Sequence, residues 1–370
     1  MIILAIETSC DDTCAAIVRA SGKIRSKFKI LANIISSQVE IHRKWGGVYP
    51  ALAQREHKKN LLPVLLQVLN KSKISNFKFL ISNKISNDKF QIPKPKIDLI
   101  AVTIGPGLEP CLWTGINFAK KLAEDWNLPL VPVNHIEGHI LAGFAGSNPK
   151  LQITNSKKNF PAVCLIVSGG HTQLILMQGI GKYKIIGETR DDAAGECFDK
   201  TARILGLEYP GGPAIAAAAA KITHRTGRQI PNKLPRPMLN QKNYDFSFSG
   251  LKTAVLYKVR GMKYEEKKKK KFIQAMAKEI QQAIIDVLIK KTIKAAKDYR
   301  GKTIILGGGV AANSELRKQI KKKFNNVILP PKNFCTDNAA MIGIAGYFNW
   351  LKGETKSWKK IKAEANLRIK

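Results

Sequence analysis

Two histidines four residues apart, His135 and His139, follow an apolar run and an asparagine, Asn134, whose side chain suits the residue capping a helix start. At that spacing both imidazoles leave one face of a single helical turn, a geometry that can chelate a metal ion. The segment is not the H-E-x-x-H of a zinc protease, because Glu137 falls where it cannot serve as that motif's base. A third ligand must come from elsewhere, and a carboxylate on another turn is the natural donor. Asp337 is one candidate, although it could equally cap the helix that follows it. Either histidine alone would read as an ordinary surface or core residue.

Acids gather in two places: Asp11 and Asp12 in a polar turn near the start, and Asp191, Asp192, Glu196 and Asp199 after the middle of the chain. For Asp191 and Asp192 the expected role is charge at a helix start, which the helix dipole favours. Asp199 lies one helical turn beyond Gly195 and suits a ribose or amine contact as well as a cap. Three glycine turns, Gly105-Pro106-Gly107, Gly169-Gly170 and Gly307-Gly308-Gly309, offer backbone amides that can cradle a phosphate. Neither familiar nucleotide motif is present: GPGLEP lacks the final glycine of G-x-G-x-x-G, and GLKT lacks the upstream glycine of a P-loop. Gly212, in the rigid turn from Tyr209 to Pro213, can abut a ligand. Asn313 either begins the helix that follows or contacts a base.

The elements that must position these residues come in pairs. Residues 163–177, VCLIVSGGHTQLILM, read as strand, tight polar turn and strand, with hydroxyls at Ser168 and Thr172 beside the glycines. Residues 1–18 repeat that hairpin, and two further segments, 98–123 and 301–323, each run from a buried strand through a glycine turn into a helix. Hairpin, glycine turn, hairpin, glycine turn is the order an internal duplication leaves. It predicts an α/β chain of two related halves with a ligand gripped between them.

At 370 residues the chain suits two domains. We expect an N-terminal lobe over 1–145 with an inserted loop at 71–96, a polar insert at 146–158, a C-terminal lobe over 159–350 and a basic, frayed tail over 351–370. With 44% hydrophobic and 24% charged residues, and no apolar run of spanning length, the composition is that of a soluble protein. Nothing at the start resembles an export signal, and six cysteines without a C-x-x-C pair argue against a disulfide framework, so a cytoplasmic location is expected. The net charge of +35 favours a polyanionic partner, nucleic acid first, though runs such as 263–271 and 321–323 can be solvated surface.

In order, ETSCDDT, GPGL, NHIEGH, SGGHT, DDAAGECFDKTARILGLEYPGGP, FSFSGLKTA, GGGVAANSELR and CTDNAAM resemble the TsaD family of tRNA threonylcarbamoyladenosine synthases, once labelled sialoglycoprotein endopeptidases. The likeness runs from about residue 3 to about residue 348. It implies the actin, Hsp70 and sugar-kinase fold, with two RNase H-like halves. It implies transfer of threonylcarbamoyl from threonylcarbamoyl-AMP to N6 of the adenosine 3′ of the anticodon, in tRNAs reading codons that begin with adenine, with release of AMP. Carried over by motif, His135, His139 and Asp337 would bind a divalent metal, Fe(II) in preference to Zn(II). Val167, Ser168, Gly169, Gly170, His171, Asp199, Gly212 and Asn313 would line the adenylate, and Asp11 would lie near the reacting carbon. The expected partners are tRNA, a TsaB-like paralogue and a TsaE-like ATPase. The chain departs from the family at Ala51, Gln54 and Ala216, where an acid, a serine and an acid are usual. Rival readings are a kinase or ATPase of the same fold, and a non-catalytic nucleotide-binding scaffold; the protease label lacks a placed general base.

Overall fold

Alternation along the first strand decides which side chains meet the site. The computed structural model describes residues 1–22, 25–74, 92–144, 153–154, 159–222, 233–262, 270–355 and 357–370. Most of the expected inserts at 71–96 and 146–158, and the lysine run 263–269, lie outside the described residues. The chain divides into two compact units, Met1–Ser156 with Pro330–Lys370, and Lys157–Leu329.

The first unit runs β1 (Ile2–Glu7), β2 (Asp12–Ser21), β3 (Arg25–Ser37), α1 (Val39–Arg43), α2 (Pro50–Ser72), β4 (Leu99–Gly105), α3 (Glu109–Trp126), β5 (Leu130–Asn134), α4 (His135–Leu141) and β6 (Ile153–Thr154). Its sheet has the order β5-β4-β1-β2-β3-β6, with β1, β4 and β5 parallel and the β1-β2-β3 meander antiparallel. Leu4 and Ile6 of β1 and Ile100, Val102 and Ile104 of β4 join the apolar core built with α2 and α3. The residues between them point to the opposite face. A second helix covers that face, Ala339–Leu351, whose Gly343 packs against Ala5 and whose Gly346 packs against Ala101. Glu7 and Thr103 continue those two rows, so both side chains end on the face carrying this helix and α4.

In the second unit β7 (Ala162–Val167), β8 (Thr172–Gly179) and β9 (Lys182–Glu188) form the next meander, followed by α5 (Ala194–Ile204), α6 (Gly211–Ala220), α7 (Ser249–Arg260), α8 (Lys270–Asp298), β10 (Thr303–Gly307), α9 (Ser314–Lys323) and β11 (Val327–Ile328). The sheet order is β11-β10-β7-β8-β9. Substituting the first unit's five leading strands reproduces it strand for strand, with the same parallel and antiparallel pairings. The duplication read from the sequence is a duplication of topology.

The C-terminal segment differs from expectation. The helix at Ala339–Leu351, now α10, is buried almost throughout and packs on β1, β2 and β5, so the segment from Pro330 belongs to the first unit and not to a lobe ending at 350. Nor does 351–370 fray. Ile361 and Ile369 are 1% and 7% exposed, and Trp358 and Leu367 pack on the first unit's core. Widely spaced apolar residues anchor this segment while its lysines stay in water.

Candidate metal centre and adjoining turns

β5 delivers Asn134 to the start of α4, where its side chain accepts from the amides of Ile136 (2.8 Å) and Glu137 (3.3 Å). The cap fixes the first turn of a helix buried over its whole length, and with it His135 and His139. Their rings meet edge to face, 4.6 Å between centroids. Asp337 reaches both: its Oδ1 is 3.5 Å from His135 Nε2 and 3.2 Å from His139 Nε2. One ligand atom from each residue falls within 4.8 Å of the others. Asp337 is not the cap of α10; Asn338 is, accepting from Met341 N at 3.1 Å.

The donor set fits a divalent cation. Both ring nitrogens of His139 are buried and make no hydrogen bond among the described residues, Nε2 lying 3.2 Å from Asp337 Oδ1 as an ion-pair contact. Each unsatisfied buried polar atom costs about 1–3 kcal/mol. An ion shared with His135 and the Asp337 carboxylate removes that cost at Nε2, and two imidazoles with one carboxylate leave positions open for a substrate.

Behind His135 lies a residue that sequence reasoning missed. Glu7, fully buried at the end of β1, has Oε2 3.1 Å from His135 Nδ1 and accepts from the Thr103 hydroxyl at 2.6 Å, while Oε1 accepts the Ser9 amide. Burial opposes ionisation of Glu7, but the adjoining His135 outweighs it and lowers the carboxyl below its ordinary range. Burial also opposes charge on His135, and the carboxylates of Glu7 and Asp337 overcome it, lifting the imidazole to about 9. For His139 burial wins and the value falls. An acid closing an otherwise apolar strand, MIILAIE, was the available signal, since a buried charge must be paired.

The turn carrying Asp11 is held from several sides. His57 Nε2 donates to the Cys10 carbonyl at 2.9 Å, so its Nδ1 accepts from the Thr13 hydroxyl at 2.8 Å. Ser9 O accepts from Leu108 N (2.8 Å) and Thr8 Oγ1 donates to Cys111 O (2.9 Å). Asp11 is half-buried, and desolvation raises its carboxyl, with a further push from Asp337. Asp12 is raised to about 7 by burial and by Asp11 beside it. The Gly105-Pro106-Gly107 turn, expected to cradle phosphate, is instead occupied: Gly107 N donates to Ala365 O at 3.1 Å, and a side chain on Gly105 would strike Glu364 O.

In the second unit the expected residues collect at the ends of β7 and β10. Val167 is buried, and the turn after it closes by Ser168 N to His171 O (2.8 Å) and His171 N to Ser168 Oγ (3.1 Å). Gly169 and Gly170 are exposed, with open space where a side chain would stand. The turn abuts the start of α5, where Ala194 N donates to Thr172 Oγ1 and Gly195 N to Ser168 O. Gly308, at φ +86°, lets the second glycine turn run against the Val167 backbone. Asp199 and Asn313, left open between ligand contact and cap, both cap: Asp199 Oδ1 accepts Gly211 N at 2.7 Å, and Asn313 Oδ1 accepts the amides of Glu315 and Leu316, each at 3.0 Å. Gly212 follows in the α6 start with open space around it. Asp191 caps α7 from a distance through the amides of Phe248 and Ser249, while Asp192 pairs with Lys200 at 2.8 Å.

A five-strand order used twice, with polar residues gathered at the carboxyl ends of the parallel strands, defines an α/β protein of the actin, Hsp70 and sugar-kinase fold. HypF of T. kodakarensis shares that fold, at a TM-score of 0.55 and 13% identity over 95% of this chain and 48% of its own. The chain belongs to the TsaD family: the family model described as tRNA N6-adenosine threonylcarbamoyltransferase matches residues 29–79 and 84–344. A relative of that name from Thermosipho africanus is 45% identical over the full length of both chains, and one from Clostridioides difficile is 43% identical over 100% of this chain and 98% of its own. Among the described residues no helix is long and apolar enough to cross a membrane.

Proposed function

We propose that this chain transfers the threonylcarbamoyl group of threonylcarbamoyl-AMP to N6 of the adenosine 3′ of the anticodon, in tRNAs reading codons that begin with adenine. The observation that carries the reading is the His135, His139 and Asp337 group, in a chain of the threonylcarbamoyltransferase family. Those three residues hold the metal, iron(II) in preference to zinc, which when bound polarises and orients the threonylcarbamoyl end. The amides of the exposed Gly169-Gly170 turn receive the phosphate, with Val167, Ser168 and His171 shaping the turn, and Asp199, Gly212 and Asn313 shape the adenylate's surroundings. The adenosine N6 attacks the carbamoyl carbon, the bond from that carbon to the phosphate oxygen breaks, and AMP departs with the electron pair. Asp11, its carboxyl raised by burial, takes the proton lost from N6.

The basic surface supports tRNA as the acceptor, and the expected helpers are a TsaB-like paralogue and a TsaE-like ATPase in the cytoplasm. The test incubates the chain and both helpers with threonylcarbamoyl-AMP and unmodified tRNA, and digests the anticodon loop for mass analysis. A threonylcarbamoyl mass increment on that adenosine is expected. Its absence, with phosphorylation of a small acceptor instead, would replace the reading by a kinase of the same fold.

A further inference from the structure

We infer that Glu7 is a positioning residue: by accepting the Nδ1 proton of His135 it presents Nε2 unprotonated toward His139 and Asp337, and by accepting the Ser9 amide it ties that imidazole to the turn bearing Asp11. The inference rests on the metal reading above.

Three donors converge on this one side chain, the Ser9 amide on Oε1, and the Thr103 hydroxyl and His135 Nδ1 on Oε2. The Ser9 amide and the Thr103 hydroxyl already donate to this carboxyl, so it meets His135 Nδ1 as an acceptor, and the one proton that the imidazole keeps when it ligates sits on Nδ1, with the Nε2 lone pair directed at the group. The Ser9 hydroxyl, 3.1 Å from the same Nδ1, is compatible with either role and cannot select the tautomer alone. His139 Nδ1 has no hydrogen-bond partner among the described residues, so the two histidines are unequal: His135 alone is braced from behind by a carboxylate.

Glu7→Gln preserves shape but not this arrangement. Its amide has one accepting oxygen, and in either orientation the NH2 faces a donor. If it faces Ser9, the main-chain amide cannot turn away. If it faces His135, the imidazole must accept at Nδ1, which moves its proton to Nε2 and blocks ligation.

Cobalt(II) titration of wild type, Glu7→Gln and Glu7→Asp tests this, with the metal-free melting temperature of each measured in parallel. Glu7→Gln is expected to bind cobalt about 10–100-fold more weakly, and Glu7→Asp, which keeps the charge, less so. Should Glu7→Gln fail to fold, nitrogen-15 spectra of the zinc(II)-loaded wild type report the tautomer directly, and a proton on His135 Nδ1 is expected. Equal cobalt affinity in wild type and Glu7→Gln, or a proton on Nε2, overturns the inference alone. Wild type that takes up neither ion overturns the metal reading together with it.

Discussion

The two units share a strand order and use it differently. In the first, the turn between β1 and β2 is dense with side chains: Glu7, Ser9, His57 and Thr13 bind one another and the backbone, and two aspartates sit with raised values. In the second, the equivalent turn between β7 and β8 carries two exposed glycines with open space where side chains would stand. The glycine turns after β4 and β10 diverge as well, the first covered by residues 364 and 365 and the second set against the Val167 backbone at Gly308. One topology thus carries a His135, His139 and Asp337 group that could hold a cation in one copy and an exposed glycine turn in the other. Topology fixes where polar residues gather, at the carboxyl ends of the parallel strands, and leaves their sign to the sequence.

The division of labour breaks most sharply at Asp337. Asp337→Ala removes one of three ligands and should cost more than the ~100-fold typical of losing an outer-shell partner, measured by metal retention against a chelator; AMP affinity should stay within about twofold. Loss of AMP binding as well would mean that the units are not chemically separate. Next in size, Ile361→Ala, in a segment that covers a turn of the first unit only, should lower stability by about 2–5 kcal/mol in denaturant titration. A change within experimental error would show that the segment is not anchored there.

The paired glycines sharpen the contrast. A methyl on Gly107 meets the Ser9 carbonyl at 2.5 Å, so Gly107→Ala should lose about 1–3 kcal/mol. Gly170→Ala meets open space; its melting temperature should not move, while the KM for the adenylate rises by roughly tenfold, about 1.4 kcal/mol. Equal melting temperatures for the two variants would undo the distinction.

A further effect is on pH. Asp12 titrates at about 7 in the folded protein against roughly 3.9 in an unfolded chain. The folded form therefore holds a proton that the unfolded form has lost, and this group makes stability fall as pH rises through that window and level off above it. Asp12→Asn should melt higher than wild type at pH 8 and no higher at pH 4; parallel curves at both would refute the assignment.

What could be read from the sequence was what repeats locally. The apolar strands, the Asn134 cap and the i, i+4 histidines all follow from spacing within one segment. Asp337 could be shortlisted, but its choice over the cap needed Asn338 to be seen capping α10. Glu7 was hidden because one acid after five apolar residues looks like the exit of a strand, and only its three donors, from Ser9, Thr103 and His135, show why it is buried. The C-terminal segment was misread because lysines outnumber Ile361, Leu367 and Ile369, and composition does not report which few residues find a hollow. Asp199 and Asn313 were ambiguous because capping and ligand contact favour the same residue types.

The first unit is discontinuous, with Asp337 and α10 following the whole of the second in the chain. On the ribosome the histidines therefore emerge long before the carboxylate that completes their group. A nascent chain stopped between residues 139 and 336 carries two of the three residues of the group, so its completion waits until the whole of the second unit has been made.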